Sequence, residues 1–282
     1  METDMRKKHG PVSVLAALSA VVSVNFCDPA EAADLASYKA VYDLVPGPIS
    51  GQSPYDGVDG LVTRSVERTC DGWIVAEHMV MRVLTRVGGV IDRDIRFTSW
   101  ESEDGTRYRF AANIKSEAAG EDETLKGNLE VPEAGAGGIA LFSQPEGRKV
   151  TLPDNTYLPV GQIKRLLTAA EAGEKQIQMH VFDGTEDDGP ELMSSVFTGR
   201  IEAGKGKGAR GEWGPLGMQA GWRVSAAFFD TKTKGAQGTP SFAMTMELLD
   251  NGLPRRLEMD LGGFVVVQAL REARPLPSPD CN

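Results

Sequence analysis

From Ala36 onward the dominant spacing of apolar residues is two, in short runs broken by glycine and aspartate. A helix needs its apolar positions three or four residues apart, whereas an antiparallel strand with one wet face needs this alternation. Fourteen segments read as strands: 36–45, 58–69, 73–87, 90–100, 106–117, 122–131, 139–143, 147–152, 176–183, 192–202, 222–230, 241–250, 253–261 and 264–270. In 106–117, Tyr108, Phe110, Ala112 and Ile114 share one face, while Arg107, Arg109, Asn113 and Lys115 share the other. The segment at 91–100 repeats this, with Ile91, Ile95 and Phe97 opposed to Asp92, Asp94 and Arg96. Sheets wetted on one side must curl or stack to cover the other.

Turn chemistry separates the strands. Asp71-Gly72, Gly88-Gly89, Asp104-Gly105, Asn251-Gly252 and Gly262-Gly263 supply residues that tolerate positive φ, and the succession predicts a meander. One segment breaks the period. Ile163, Leu166, Leu167 and Ala170 fall on one helical face within 160–172, with Pro159 before it and Gly173 after it. A lone amphipathic helix among curled strands is expected to plug or brace an open barrel mouth. The loops at 132–138, 204–217 and 231–240 interrupt strands of unchanged character, so the expectation is a single all-β domain over 33–282.

The first 32 residues are of another kind. Arg6, Lys7 and Lys8 precede an uncharged apolar run from Val12 to Val24, too short to span a bilayer, and Ala30-Glu31-Ala32 follows with small residues at alternate positions. This is the pattern of a cleaved export signal, with the mature chain starting near Ala33 or Asp34 in the periplasm. Cys27 lies beyond the apolar run, but Asn25 and Phe26 before it are not the small residues that lipidation requires. Cleavage would leave 27 basic and 36 acidic residues, a charge of −9, which argues against nucleic acid or anionic lipid as the main partner. No later run is long and apolar enough for a transmembrane helix.

Two cysteines remain after cleavage, Cys70 and Cys281. In an oxidising compartment they are most simply a pair, and their spacing is not that of zinc ligands. Neither belongs to a C-x-x-C motif, so a structural staple is expected. The tail from Arg274, with three prolines, is expected to run extended and to be held by that bond alone.

No catalytic, cofactor or metal residue is assigned. Gly206–Gly211 spells G-x-G-x-x-G, but no strand–helix context surrounds it, and Trp213-Gly214-Pro215 is expected to prevent a helix after it. The acidic loop 183–189 offers oxygens of the kind calcium takes, without the EF-hand spacing. His78 and His180 both fall inside strands and read as hydrogen-bonded strand residues. G-x-S-x-G and H-E-x-x-H are both missing, so the expectation is a protein that is not an enzyme.

Several segments in order carry a family resemblance: Ser37–Leu44, Gly60–Gly72 with its arginine, glutamate and cysteine, Phe97–Glu101, Ala172-Gly173-Glu174 followed by Val181–Gly184, and Cys281. Together they resemble the cell envelope integrity EipB family of the alphaproteobacterial periplasm. The resemblance implies a β-spiral or open barrel similar in shape to the LolA and LolB carriers, closed by a disulfide matching Cys70 and Cys281. It also implies a role in envelope integrity and a periplasmic partner built of tetratricopeptide repeats. Two functions follow as expectations: a factor acting through protein partners, or a carrier of a lipid, acyl chain or lipoprotein in the barrel cleft. A hollow apolar interior would favour the second.

Overall fold

A computed structural model describes residues 34–204, 213–231 and 238–281, which belong to one compact unit. The strands are β1 (Tyr38–Ile49), β2 (Tyr55–Arg68), β3 (Gly72–Thr85), β4 (Val90–Ser102), β5 (Arg107–Ser116), β6 (Glu121–Glu130), β7 (Gly138–Gln144) and β8 (Lys149–Leu152). After them come β9 (Thr156–Tyr157), α1 (Pro159–Glu171), β10 (Gln176–Val181), β11 (Glu191–Ile201), α2 (Gly214–Gly217), β12 (Gly221–Asp230), β13 (Phe242–Leu249), β14 (Pro254–Asp260) and β15 (Phe264–Pro275).

All strands join one sheet in the order β8-β7-β6-β5-β4-β3-β2-β1-β15-β14-β13-β12-β11-β10-β9. Two meanders are therefore joined where the first strand pairs with the last. The sheet's two edges, β8 and β9, are consecutive in sequence, with only Pro153, Asp154 and Asn155 between them. At 3.8 Å per residue the edges cannot lie more than about 15 Å apart, so connectivity alone forces the sheet nearly closed. Asn155 makes the turn with φ of 64°, and its side-chain amide donates to the Gln178 carbonyl at 2.8 Å. A bridge between Gly135 and Thr156 completes the contact.

The fourteen expected strands are all present, and a fifteenth was missed. At two residues β9 is too short to show a period, and it pairs parallel with β10, the exception in an otherwise antiparallel sheet. The tail also differs from expectation: β15 continues to Pro275, opposite Tyr38, and the Leu276 amide donates to the Ser37 carbonyl at 3.0 Å. The disulfide is thus not the tail's sole restraint. The tail does run extended as expected, and Pro275 is the terminal residue of β15, where a missing donor costs little. Gly72 needs its glycine for a reason other than the one expected, because a Cβ there would meet the Glu101 carbonyl at 2.1 Å. A second helix, the single turn α2, forms where Trp213-Gly214-Pro215 was expected to prevent one. Gly206–Gly211 and the export segment lie outside the described residues.

The helix α1 has Pro159 as its first residue, which lacks the amide hydrogen that would otherwise need a partner. The next two amides, of Val160 and Gly161, donate to the two carboxylate oxygens of Glu101 on β4 at 2.8 and 2.9 Å. Gly173, with φ of 75°, ends the helix. Leu166, Leu167 and Ala169 are fully buried against Trp73, Met193 and Leu248, so the helix sits on the sheet's inner face. The disulfide Cys70–Cys281 spans 211 residues.

Candidate functional site

The interior is not one continuous core. Apolar side chains gather in three clusters: around α1 and β10–β13, around the central strands β1, β2 and β15, and around β5–β8. Between them lies a cavity of about 400 Å³, within the usual range of ligand pockets, roughly 300–1,000 Å³. It extends from Val160 and Ile163 of α1 past Val75, Phe97 and Met244 to the loop after β10.

Alternation explains which side chains face it. Along β3, Trp73, Val75 and Glu77 point inward, while Ile74, Ala76 and His78 point outward. Glu77 pairs with Arg64, its partner across the β2–β3 ladder, at 2.5 Å, and both are half-buried in the cavity wall. Burial works against the Arg64 charge, but Glu77 together with Tyr38 and Tyr42 raises its pKa overall. Burial pushes the Tyr42 hydroxyl well up as well.

The loop 182–190 folds back across the sheet. Phe182 stands edge-on to Phe110 of β5, centroids 5.7 Å apart, and the Tyr108 hydroxyl donates to the Asp183 carbonyl at 2.8 Å. Asp183, Thr185, Glu186 and Glu191 are thereby brought to the cavity lining. Burial, with Glu186, Asp183, Asp188 and Asp230 nearby, pushes the Glu191 carboxyl up to about 7. One end of the cavity is thus an acidic lip, and the rest is mainly apolar apart from the Arg64–Glu77 pair and a few polar side chains.

Of the residues singled out from sequence, the acidic loop 183–189 contributes to the cavity lining and the two histidines lie elsewhere. His78 is on the outer face, 2.9 Å from Asp94. His180 pairs with Leu192 and Thr156 within the sheet. In the acidic loop, Asp183 accepts from the amide and hydroxyl of Thr185, and Asp187 lies 3.4 Å from Arg148. Among the described residues no three His, Cys, Asp or Glu side chains are grouped to hold a metal. The sequence reading missed Arg64 and Glu77. Their signal was visible, since each is in phase with the apolar face of its strand: Val62, Arg64, Val66 and Val75, Glu77, Met79.

The EipB-like family profile matches residues 29–277. The chain belongs to the EipB-like family. It is similar to the cell envelope integrity protein EipB of Brucella abortus (strain 2308), 27% identical over 241 residues that span 83% of this chain and 82% of the relative. Among solved structures it resembles a beta-barrel-like protein of a domain of unknown function from Brucella abortus, with a TM-score of 0.74 at 23% identity. That match covers 87% of this chain and 100% of the other. It supports the nearly closed sheet described above for this EipB-like chain.

Proposed function

We propose that this EipB-like protein supports the cell envelope from the periplasm by holding the apolar chain of a lipid or a lipid-modified protein inside its sheet. The observation that carries this reading is the cavity of about 400 Å³, hollow and walled mainly by aliphatic and aromatic side chains. A purely structural barrel of this kind would fill its interior, because unfilled apolar space forfeits packing energy. Export is supported by the basic, apolar and small-residue sequence at 6–32, and by the burial of Leu35, just past the proposed cleavage point. The relative's name supports the link to envelope integrity. Native mass spectrometry of protein taken from the envelope fraction tests the reading. A mass adduct released by organic extraction is expected, together with a mature start near Ala33. Protein that is empty as isolated and takes up no long-chain amphiphile in vitro would overturn it.

A second reading, action through a protein partner such as a tetratricopeptide-repeat protein, is favoured by one surface. Val80, Leu84 and Val90 are each about 40% exposed on the outer face of β3 and β4, and Val87 at the hairpin tip is 95% exposed. Cross-linking in cells tests this. Loss of a specific adduct on replacing Leu84 and Val90 with serine supports a docking patch there, and an unchanged adduct pattern refutes it.

A further inference from the structure

Resting on the ligand-holding reading above, we infer that the Arg64–Glu77 pair is the polar anchor of the cavity and selects an apolar chain that bears an uncharged hydroxyl. The surroundings of the pair on the inner face are apolar. Arg64 neighbours Ala40 of β1 and Glu77 neighbours Phe97 of β4, while Val66 pairs with Val75 on one side of them and Val62 with Met79 on the other. Both charged side chains line the cavity, and each keeps 23% of its surface within reach of water. Two charges set in an apolar wall often give no more stability than apolar residues of the same size, because their desolvation is only partly repaid. Packing therefore does not account for the pair, whereas an occupant that needs a polar contact does.

The geometry leaves hydrogen-bonding capacity on both partners. Nε and Nη2 of Arg64 donate to the same oxygen of Glu77, Oε2, at 2.6 and 2.5 Å. Oε1 of Glu77 takes no hydrogen bond among the described residues. A guanidinium has five N–H groups, more than the two that go to Glu77 and the neighbouring Tyr38 hydroxyl use. The pair thus presents a spare acceptor beside spare donors, with no net charge. A hydroxyl satisfies both at one atom, donating to Oε1 and accepting from the guanidinium, and hydrogen bonds to charged groups are the strong ones. An ether or ester oxygen accepts only and leaves Oε1 bare. A carboxylate would bring a second negative charge beside Glu77 in a poorly screened wall, and an ammonium would bring a second positive charge beside Arg64. The same hydroxyl chemistry is offered by a hydroxylated acyl chain and by the hydroxyl head group of a single-chain lipid.

The test uses the purified, disulfide-bonded protein at neutral pH, with N-phenylnaphthylamine as a fluorescent occupant of the cavity and its displacement as the readout. The displacing ligands are 1-decanol, its isomer 1-methoxynonane and decanoate, each below its solubility limit and micelle-forming concentration. 1-Decanol is expected to displace the probe at a concentration about tenfold below that of the ether, although the ether is the more hydrophobic, with decanoate weaker than the alcohol. In Arg64→Met combined with Glu77→Leu the alcohol's advantage over the ether should vanish. Glu77→Gln leaves Arg64 without its counter-charge and should raise the affinity for decanoate about tenfold relative to 1-decanol. A pair that serves only to hold β2 against β3 would produce no such reversal. Circular dichroism checks that each variant is folded, and the wild-type order decides the assignment if one is not. Equal displacement by alcohol and ether, or a folded double variant that keeps the alcohol's advantage, overturns the hydroxyl assignment while leaving chain binding standing. Failure of the probe and all three ligands to bind overturns the ligand-holding reading itself. 5-Decanol tried beside 1-decanol separates the sources: tighter displacement by 5-decanol supports the anchor with the hydroxyl on the chain, and the reverse order supports it with the hydroxyl on the head group.

Discussion

Two glutamates show how a single side chain is used away from water. Glu101 is 3% exposed on β4 and accepts from both otherwise unpartnered amides at the start of α1. Glu101→Ala should therefore lower stability by about 1–3 kcal/mol in urea unfolding, because two buried amides lose their acceptor. Glu191 is used differently. Its carboxyl is raised from 4.5 to about 7, chiefly by burial and then by neighbouring carboxylates. A raised folded-state pKa gives stability that is fully present below about pH 4.5 and is lost as pH rises through 7. Glu191→Gln should accordingly flatten the fall in melting temperature between pH 5 and pH 8, leaving the variant the more stable protein at pH 8. An identical pH profile in the two proteins would remove the electrostatic account of the lip. Neither glutamate was legible in sequence. Glu101 finds its partners about sixty residues away, and Glu191 is one of many acidic residues until the loop folds back beside it.

The strands were legible because alternation is a local signal that every half-buried strand must carry. The loop after β10 was not. Residues 183–189 read only as an acidic loop offering oxygens of the kind calcium takes, yet Phe182 and the Tyr108 hydroxyl anchor the segment to the sheet while Asp183, Glu186 and Asp188 stay exposed. Gly184 makes that packing possible: with φ of 80° it lies so close to Phe110 that a Cβ would sit 2.3 Å from the ring. Gly184→Ala should push the loop off the aromatic cluster at a cost of about 1–3 kcal/mol, seen as a lower midpoint in thermal melts. The short elements β9 and α2 escaped for a related reason, since two and four residues hold too little pattern to read.

For the whole molecule, Cys70–Cys281 is the longest covalent loop. Closing about 210 residues disfavours the unfolded chain by roughly 5 kcal/mol on the chain-entropy estimate. Cys70→Ser, Cys281→Ser and the double variant should lose similar amounts of thermal stability, because each removes the same cross-link. A double variant much less stable than either single would mean that the sulfurs matter individually. Since β15 pairs with β1 up to Pro275, these variants should keep the sheet intact and free only the last residues, which limited proteolysis would show. Curling was expected from one-sided alternation, but closure was not readable locally. It depends on β8 and β9 being neighbours in sequence and opposite edges in space.

The pairing of β1 with β15 also sets the order of events during folding. The first strand's ladder on one side is supplied by residues 264–275, near the end of the chain. A nascent polypeptide can zip each meander from local hairpins, but the seam between them stays open until nearly the last residue has emerged. Contacts separated by more than two hundred residues form slowly, because so much loop entropy must be given up before they repay it. On the export route proposed above, such a delay keeps the chain threadable until its final strand arrives.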